Sequence, residues 1–295
     1  MSQKVLIVGG VAGGASAAAR LRRLREDIDI VMFERGEYIS FANCGLPYYV
    51  GEVIQDREAL LLQTPKQMKD RFNIDVRIKS EVIGVNTENK TIKVRSNNSI
   101  YDESYDYLVL APGAKPITPN LPGIDSEKIF TVRNVSDIDK IKSYVDKKST
   151  KSAVVIGGGF IGIEMAENLK EKDINVTLIE AAPHVLAPFD SEFSNLIEKE
   201  LNDNEVSIIL NSKVVAFSEE GNLINVILED GRSIKVDMVI SAIGVMPDTK
   251  FIKDSGIKLG ERGHIIVNDH MKTNAEGVYA AGDAVVVKDY VNGNE

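Results

Sequence analysis

The chain of 295 residues is long enough for two domains and a sizeable core. Its 43% hydrophobic and 27% charged content is that of an ordinary globular protein. A net charge of −9 argues against a nucleic-acid partner, no apolar run reaches the roughly 18 residues of a membrane span, and a single cysteine, Cys44, rules out an internal disulfide and suits a reducing cytoplasm, where we expect the protein to reside.

Residues 5–8 form a short continuous apolar run, the pattern of a strand buried on both faces. Gly9-Gly10-Val11-Ala12-Gly13-Gly14 follows, and a helix is predicted to open near Ala15, with Ala17, Leu21 and Leu24 on its buried stripe. A second strand over residues 28–33 ends at Glu34, 20 residues beyond Gly14. Strand, glycine turn, helix, strand and acid make a dinucleotide-binding unit. Its glycines form the tight turn, the helix N-terminus holds a pyrophosphate, and the acid accepts from ribose hydroxyls. One position departs from the pattern: the middle glycine of G-x-G-x-x-G is Val11. The apolar start also mimics a signal peptide, but the same glycine pattern recurs at residues 154–162, where no signal could act.

Cys44 lies in Ser40-Phe-Ala-Asn43-Cys44-Gly45-Leu-Pro47-Tyr-Tyr. A lone thiol is most often a small buried hydrophobe. Here Asn43 and Gly45 suit a turn, and Pro47 falls where the first turn of a helix tolerates it. We therefore expect Cys44 at a helix N-terminus, facing unpaired N–H groups and the positive end of the dipole, which favour the reactive thiolate.

Further on, residues 81–94 read as strand, polar turn and strand, and residues 107–113 as a strand running into glycine. Four of the nine prolines cluster at 112, 116, 119 and 122, a stiff connector and the best domain boundary. Residues 134–147 are predicted helical. A second and cleaner nucleotide unit follows, in which Gly157, Gly159 and Gly162 lead into a helix, and a strand over 176–179 ends at Glu180, 18 residues beyond Gly162. Glu180 would bond the 2′-hydroxyl of NADH and repel the 2′-phosphate of NADPH, so NADH is favoured. Residues 213–228 repeat the small hairpin, residues 238–244 repeat the strand ending in glycine, and the chain crosses back at Gly244 to Asp248. Residues 273–283 give a last strand ending in Gly282 and Asp283, expected to be a further contact to the first cofactor. The expected fold is therefore α/β: two tandem Rossmann-like domains, the second (116–246) inserted into the first (1–115 and 247–295). Arg20, Arg22, Arg23 and Arg25 bunch on the first helix, which reads as a solvated face. Ser16, Arg20 and Arg23 nevertheless share one stripe, a patch that a phosphorylated substrate would use. His184, His264 and His270 are scattered and suggest no metal.

Two dinucleotide folds with one cysteine just after the first resemble the FAD-dependent pyridine nucleotide–disulfide oxidoreductases of the glutathione-reductase type, across the whole chain. The segment around Cys44 is most similar to the coenzyme A-disulfide reductase branch and its rhodanese-fused, persulfide-reducing relatives. The resemblance implies FAD on the first unit at Gly9, Val11, Ala12, Gly13, Gly14, Glu34, Arg35, Val82, Ala111, Gly113, Arg133, Gly282 and Asp283. It implies NADH, or NADPH, on the second at Gly157, Gly159, Phe160, Ile161, Gly162, Glu164, Glu180 and Gly244, with Phe160 as an aromatic gate over the flavin. Coenzyme A contacts would come from Ser16, Arg20, Arg23, Ser40 and Asn43, and the nucleophile would be Cys44. Val11 is typical of this branch. No second cysteine is available for the C-x4-C pair of glutathione and lipoamide reductases, and Ala12 stands where one-cysteine NADH oxidases and peroxidases carry a histidine. Relatives continue into an interface domain that builds a homodimer and brings tyrosines to the partner's site, so the resemblance implies that this chain is a piece of a longer protein.

The expected reaction is NADH-dependent reduction of coenzyme A disulfide through a Cys44 mixed disulfide. The rivals are reduction of a persulfide or polysulfide, an NADH oxidase cycling a Cys44 sulfenate, a cysteine-independent reductase of a redox protein, and a flavoprotein acting only as an interaction module.

Overall fold

The computed structural model describes residues 2–97, 99–147, 149–291 and 293. They divide into two compact units: residues 1–41, 61–115 and 246–295, and residues 42–60 and 116–245.

The first unit is built on five parallel strands in the order Val278–Ala280, Tyr107–Leu110, Lys4–Val8, Asp29–Phe33, Asp75–Arg77. The central strand is apolar throughout because both of its faces are covered. Leu6 and Val8 enter one core cluster with Phe33, Leu108 and Leu110, while Val5 and Ile7 enter another with Ile30, Met32 and Met68. The second unit repeats the plan, with order Ser207–Ile209, Asn175–Ile179, Ser152–Ile156, Met238–Ser241, Ile129–Phe130, again all parallel. Even a small device recurs. Asp106, just before one strand, accepts from the amide of Lys4, and Asp237, just before its counterpart, accepts from the amides of Lys151 and Ser152 at 2.9 Å.

The two sheets differ in where the outermost strand comes from. In the first unit it is supplied by residues 278–280, after the inserted unit; in the second it is supplied by residues 129–130, before that unit's glycine loop. The fold is thus the expected pair of Rossmann-like domains, one inserted in the other.

Three features depart from the sequence reading. Each predicted hairpin is a three-stranded antiparallel meander, completed by Ser99–Ser104 in the first unit and Ser233–Val236 in the second. Ser99–Ser104 is mostly exposed and polar, so it carries no apolar alternation to reveal it. The helix Gly13–Leu24 buries Gly14, Ala15, Ala18 and Arg22, whereas Leu24 is 62% exposed. Arg22 turns inward because its guanidinium donates to the carbonyls of Phe72, Arg25, Glu26 and Asn73, capping chain ends that have no amide partners. Finally, Ala42–Leu60, expected with the first unit, groups with the second.

Candidate active site

The two glycine loops are built by the same constraints. Gly9 has φ +97° and Gly157 has φ +105°, a region closed to most side chains. A Cβ on Gly9 would lie 2.0 Å from the carbonyl oxygen of Ala111, and one on Gly157 would lie 2.3 Å from that of Ala242. The last glycine of each loop is fixed by helix-on-strand packing: a Cβ on Gly14 would meet the Gly9 oxygen at 1.8 Å, and one on Gly162 would meet the Gly157 oxygen at 1.9 Å. Glu34 accepts from the amides of Gly10 at 2.9 Å and Gly36 at 2.8 Å. Glu180 accepts from Gly158 at 2.5 Å and Ala182 at 2.8 Å. An ionised carboxylate has about four lone-pair positions, so each acid keeps acceptor capacity for ribose hydroxyls.

The middle position separates the two loops. Gly159 sits at φ −81°, ψ −177°, backbone that any residue adopts, and a Cβ there would meet nothing within 4 Å. Packing within the protein does not demand glycine at this point, whereas close approach of a dinucleotide phosphate would. The residues present therefore fit a dinucleotide. In the first loop the matching Val11 is half-buried.

Cys44 is a free, exposed thiol in the 3₁₀ turn Asn43–Gly45. The amides of Gly45 and Leu46 are already used within that turn, bonding the carbonyls of Ala42 and Asn43. The helix that follows, Leu46–Val50, has five residues, with Pro47 in its first turn. Cys44 accordingly lies ahead of a five-residue helix whose first amide, that of Leu46, is bonded within the turn and whose second residue, Pro47, has no N–H, a less open N-terminus than expected. Leu46, Pro47 and Val50 are buried, and the helix packs on the helices Val135–Val145 and Phe160–Lys170. Tyr48 carries the contact further: burial, then the charges of Glu164, Glu167 and Cys44, push its phenol upward. Burial and the neighbouring Glu167 likewise raise Glu164.

Over residues 3–293 the chain matches the family described as pyridine nucleotide-disulphide oxidoreductase. The chain belongs to that family. Members depend on FAD and on NAD(P)H. The chain is 39% identical over 282 residues to the coenzyme A disulfide reductase of Staphylococcus aureus, covering 95% of this chain and 63% of the relative, and so spans less than two thirds of that protein. It is similar to the crystal structure of reduced CoADR-RHD from Bacillus anthracis, at 50% identity and TM-score 0.96, covering 100% of this chain and 53% of the other. It is also similar to a NAD-dependent persulfide reductase from A. fulgidus, at 34% identity and TM-score 0.95, covering 99% and 55%.

Within this family member, the remaining expected flavin residues of the first unit other than Val82 lie just past the C-terminal ends of its parallel strands, where open α/β sheets bind ligands. Ala111 donates to the carbonyl of Val8 at 2.8 Å, and Gly113 and Gly282 have φ +66° and +81°. Asp283 is exposed. Arg35 meets the carboxylate of Asp248 at 2.6 Å. Val82 is 6% exposed inside the core, so only its backbone could face a ligand. Arg133 falls in the second unit. There, Gly244 has φ +122° and accepts from Ile117, Ile161 is exposed, and Phe160 is 60% exposed, edge-on to Phe189 at 6.0 Å.

The expected coenzyme A residues are split by the fold: Ser16, Arg20, Arg23 and Ser40 belong to the first unit, Asn43 to the second. Ser40 has φ +43° and donates its amide to the carbonyl of Gly10 at 2.9 Å, which ties it to the first glycine loop. Arg20 and Arg23 are exposed, and among the described residues neither forms an ion pair. A cavity of about 860 Å³ beside the strand Ile129–Phe130 is lined by neither glycine loop, Glu180 nor Cys44. Among the described residues no cluster could hold a metal, and no helix is long and apolar enough to cross a membrane.

The sequence reading missed residues that surround the cysteine segment: Gly51, Glu52, Arg57 and Asn168. A Cβ on Gly51 would lie 2.3 Å from Asn168 Oδ1. Hydrogen bonds from Lys172 and Lys142 hold the Glu52 carboxyl at about 2. No local motif marks these positions, because their partners lie far along the chain.

Proposed function

We propose that the protein is an NADH-dependent reductase of coenzyme A disulfide, acting through Cys44. The observation that carries this reading is a single exposed thiol, free of any second cysteine, in a chain with two dinucleotide loops. The name of the Staphylococcus aureus relative supports the same substrate. FAD, when bound, supplies the two-electron relay between NADH and sulfur. Gly9, Val11, Gly14 and Glu34 would hold it in the first unit, and Gly157, Gly159, Gly162 and Glu180 would hold NADH in the second. We read Arg133 as a further flavin contact and Phe160 with Glu164 as the nicotinamide end of the second site.

The Cys44 thiolate attacks one sulfur of the disulfide, forming a mixed disulfide and releasing the other half as a thiolate. Two electrons originating in NADH then cleave the mixed disulfide, so NADH, one proton and one disulfide become NAD⁺ and two thiols. A chain with one cysteine needs this external partner, since no neighbour can close an internal disulfide. Exposed Arg20 and Arg23 suit the phosphates of coenzyme A. The acid at Glu180 favours NADH over NADPH. We read the protein as a homodimer acting in the cytoplasm.

Mass spectrometry of the protein as isolated, without reductant, tests this. An adduct of coenzyme A mass on Cys44 supports it, and a bare thiol or sulfenate counts against it. Likeness to the A. fulgidus persulfide reductase supports a second reading, with the same thiol acting on a persulfide. Steady-state rates on coenzyme A disulfide and coenzyme A persulfide separate the two.

A further inference from the structure

We propose that Glu52 and Arg57 are positioning residues for Cys44, fixing the thiol-bearing segment to the second unit. The inference rests on the reading of Cys44 as the nucleophile.

The segment 42–60 leaves and re-enters the first unit through a narrow neck. Phe41 and Leu61 form an antiparallel bridge, and the amide of Ala42 donates to the carbonyl of Leu60 at 2.8 Å. Beyond the neck, the short helix Leu46–Val50 lays its apolar face on two helices of the second unit. Apolar contact holds such a helix without fixing its rotation or slide, because burial is not directional. Directional contacts are supplied beyond its C-terminal end.

Arg57 makes a two-pronged bond to Asp139, Nε to Oδ1 at 2.8 Å and Nη2 to Oδ2 at 2.7 Å. This geometry fixes orientation as well as distance. Glu52 Oε1 receives Lys142 at 2.9 Å and Lys172 at 2.8 Å, and both lysines also reach Asp146, at 3.2 and 3.5 Å. Lys142 additionally sits 5.5 Å from the centre of the Tyr49 ring. The two clamps therefore join the segment to the helix Val135–Val145 and to Lys172, just past the end of the helix Phe160–Lys170. Glu52 itself has φ +64°, a left-handed conformation uncommon outside glycine, adopted here just past the C-terminal end of the short helix. That turn directs the Glu52 side chain to its two lysines. Gly51 completes the fit, since any side chain at that position would strike Asn168.

Cys44 is thus stretched between a closed neck on one side and a charged clamp on the other. Isolated exposed ion pairs contribute little, but a two-pronged arginine and a four-residue network are the arrangements that do contribute. Releasing both clamps should free the segment without unfolding either sheet.

The test is hydrogen exchange on the intact protein, comparing wild type with Glu52→Gln/Arg57→Gln. We expect exchange at the amides of Gly45, Gly51 and Ile54 to rise about tenfold, as for a local opening, while the amides of Leu6–Val8 and Val154–Ile156 keep their protection. The kcat for disulfide reduction should fall with the KM for NADH unchanged. The exchanged pair Arg57→Asp/Asp139→Arg should restore protection that Arg57→Asp alone removes. Unchanged exchange in the segment, a rise spread equally over both sheets, or an unaltered kcat overturns the proposal. A Cys44→Ser protein that still reduces the disulfide overturns the thiol reading instead, whatever the exchange shows.

Discussion

Gly158 donates its backbone N–H to the Glu180 carboxylate at 2.5 Å, and Gly10 does the same for Glu34 at 2.9 Å. The acid that should meet the ribose is therefore also a strut of the glycine loop. Replacing Glu180 with Gln removes the negative charge and puts an N–H₂ where an acceptor is needed. Hydrogen bonds to charged groups contribute roughly 1.5–3 kcal/mol, so the KM for NADH should rise at least ~10-fold. The KM for NADPH should change less or fall, since a 2′-phosphate would no longer meet a carboxylate. Steady-state kinetics with both nucleotides checks this, and an unchanged ratio of the two KM values would remove the proposed role.

Gly159 and Gly162 look alike in the motif but should fail differently. A Cβ on Gly162 would lie 1.9 Å from backbone oxygen, whereas one on Gly159 would meet nothing within 4 Å. Gly162→Ala should destabilise the protein by several kcal/mol (on the order of 3) through forced backbone displacement. Gly159→Ala should leave stability within about 1 kcal/mol, because a small entropic gain offsets a poorer helix cap. It should nevertheless weaken nucleotide binding. Urea unfolding and NADH titration of the two variants separate packing from ligand approach; loss of stability in Gly159→Ala would contradict the argument.

Such constraints are readable in the sequence through spacing. Gly14 and Gly162 pack on Gly9 and Gly157 of their own loops, even though Gly9 and Gly157 themselves close on Ala111 and Ala242, far along the chain. Gly9 and Gly157, Gly14 and Gly162, and Glu34 and Glu180 all announce themselves by spacing. The structure reverses the expected burial of Leu24 and Arg22 for a physical reason. Apolar periodicity predicts which face is buried, but it cannot anticipate four unsatisfied carbonyls nearby that recruit an arginine into the interior. The allegiance of the Cys44 segment was hidden more deeply. Asp139, Lys142 and Lys172 lie far from it in sequence, and nothing in a run of ordinary charged residues marks them as its partners. Ser99–Ser104 was missed because an exposed polar edge strand lacks the alternation that reveals the others.

Arg22 offers a direct check on that correction. Arg22→Met keeps the packing stem but abandons the carbonyls of Phe72 and Glu26, bonded at 2.8 and 2.9 Å, together with those of Arg25 and Asn73. Leaving such groups without partners should cost about 2–4 kcal/mol. Arg20→Met, two residues earlier on the exposed face, should stay within about 0.5 kcal/mol. Denaturant unfolding of the pair provides the comparison; equal effects would mean that the inward arginine holds nothing together.

Acid stability should carry a signature of Glu52. Its carboxyl is lowered from 4.5 to about 2 by hydrogen bonds from Lys172 and Lys142. The folded state therefore releases this proton more readily than the unfolded chain does. Its contribution is fully present above about pH 4.5 and is lost as pH falls toward 2. Wild type should lose stability more steeply than Glu52→Gln across that interval, and added salt should narrow the difference because the carboxylate is half-exposed. Parallel curves for the two proteins, followed by unfolding at stepped pH, would count against the ion-pair clamp.

Arg20 and Arg23 bear on the substrate itself. Both lie exposed on one face of the first helix, and among the described residues neither has a carboxylate partner, although the chain carries a net charge of −9. Two uncompensated guanidinium groups on an acidic protein attract phosphates but offer nothing to a small neutral disulfide. Arg20→Gln/Arg23→Gln should raise the KM for coenzyme A disulfide by roughly tenfold or more, since each lost charge-assisted bond accounts for about 1.5 kcal/mol or more. The difference from wild type should shrink with ionic strength, as screening over a Debye length of roughly 10 Å at 0.1 M weakens the arginine attraction. A small uncharged disulfide should be reduced equally well by both proteins. If the double variant loses activity on both substrates alike, the stripe supports the fold and does not select a phosphorylated substrate.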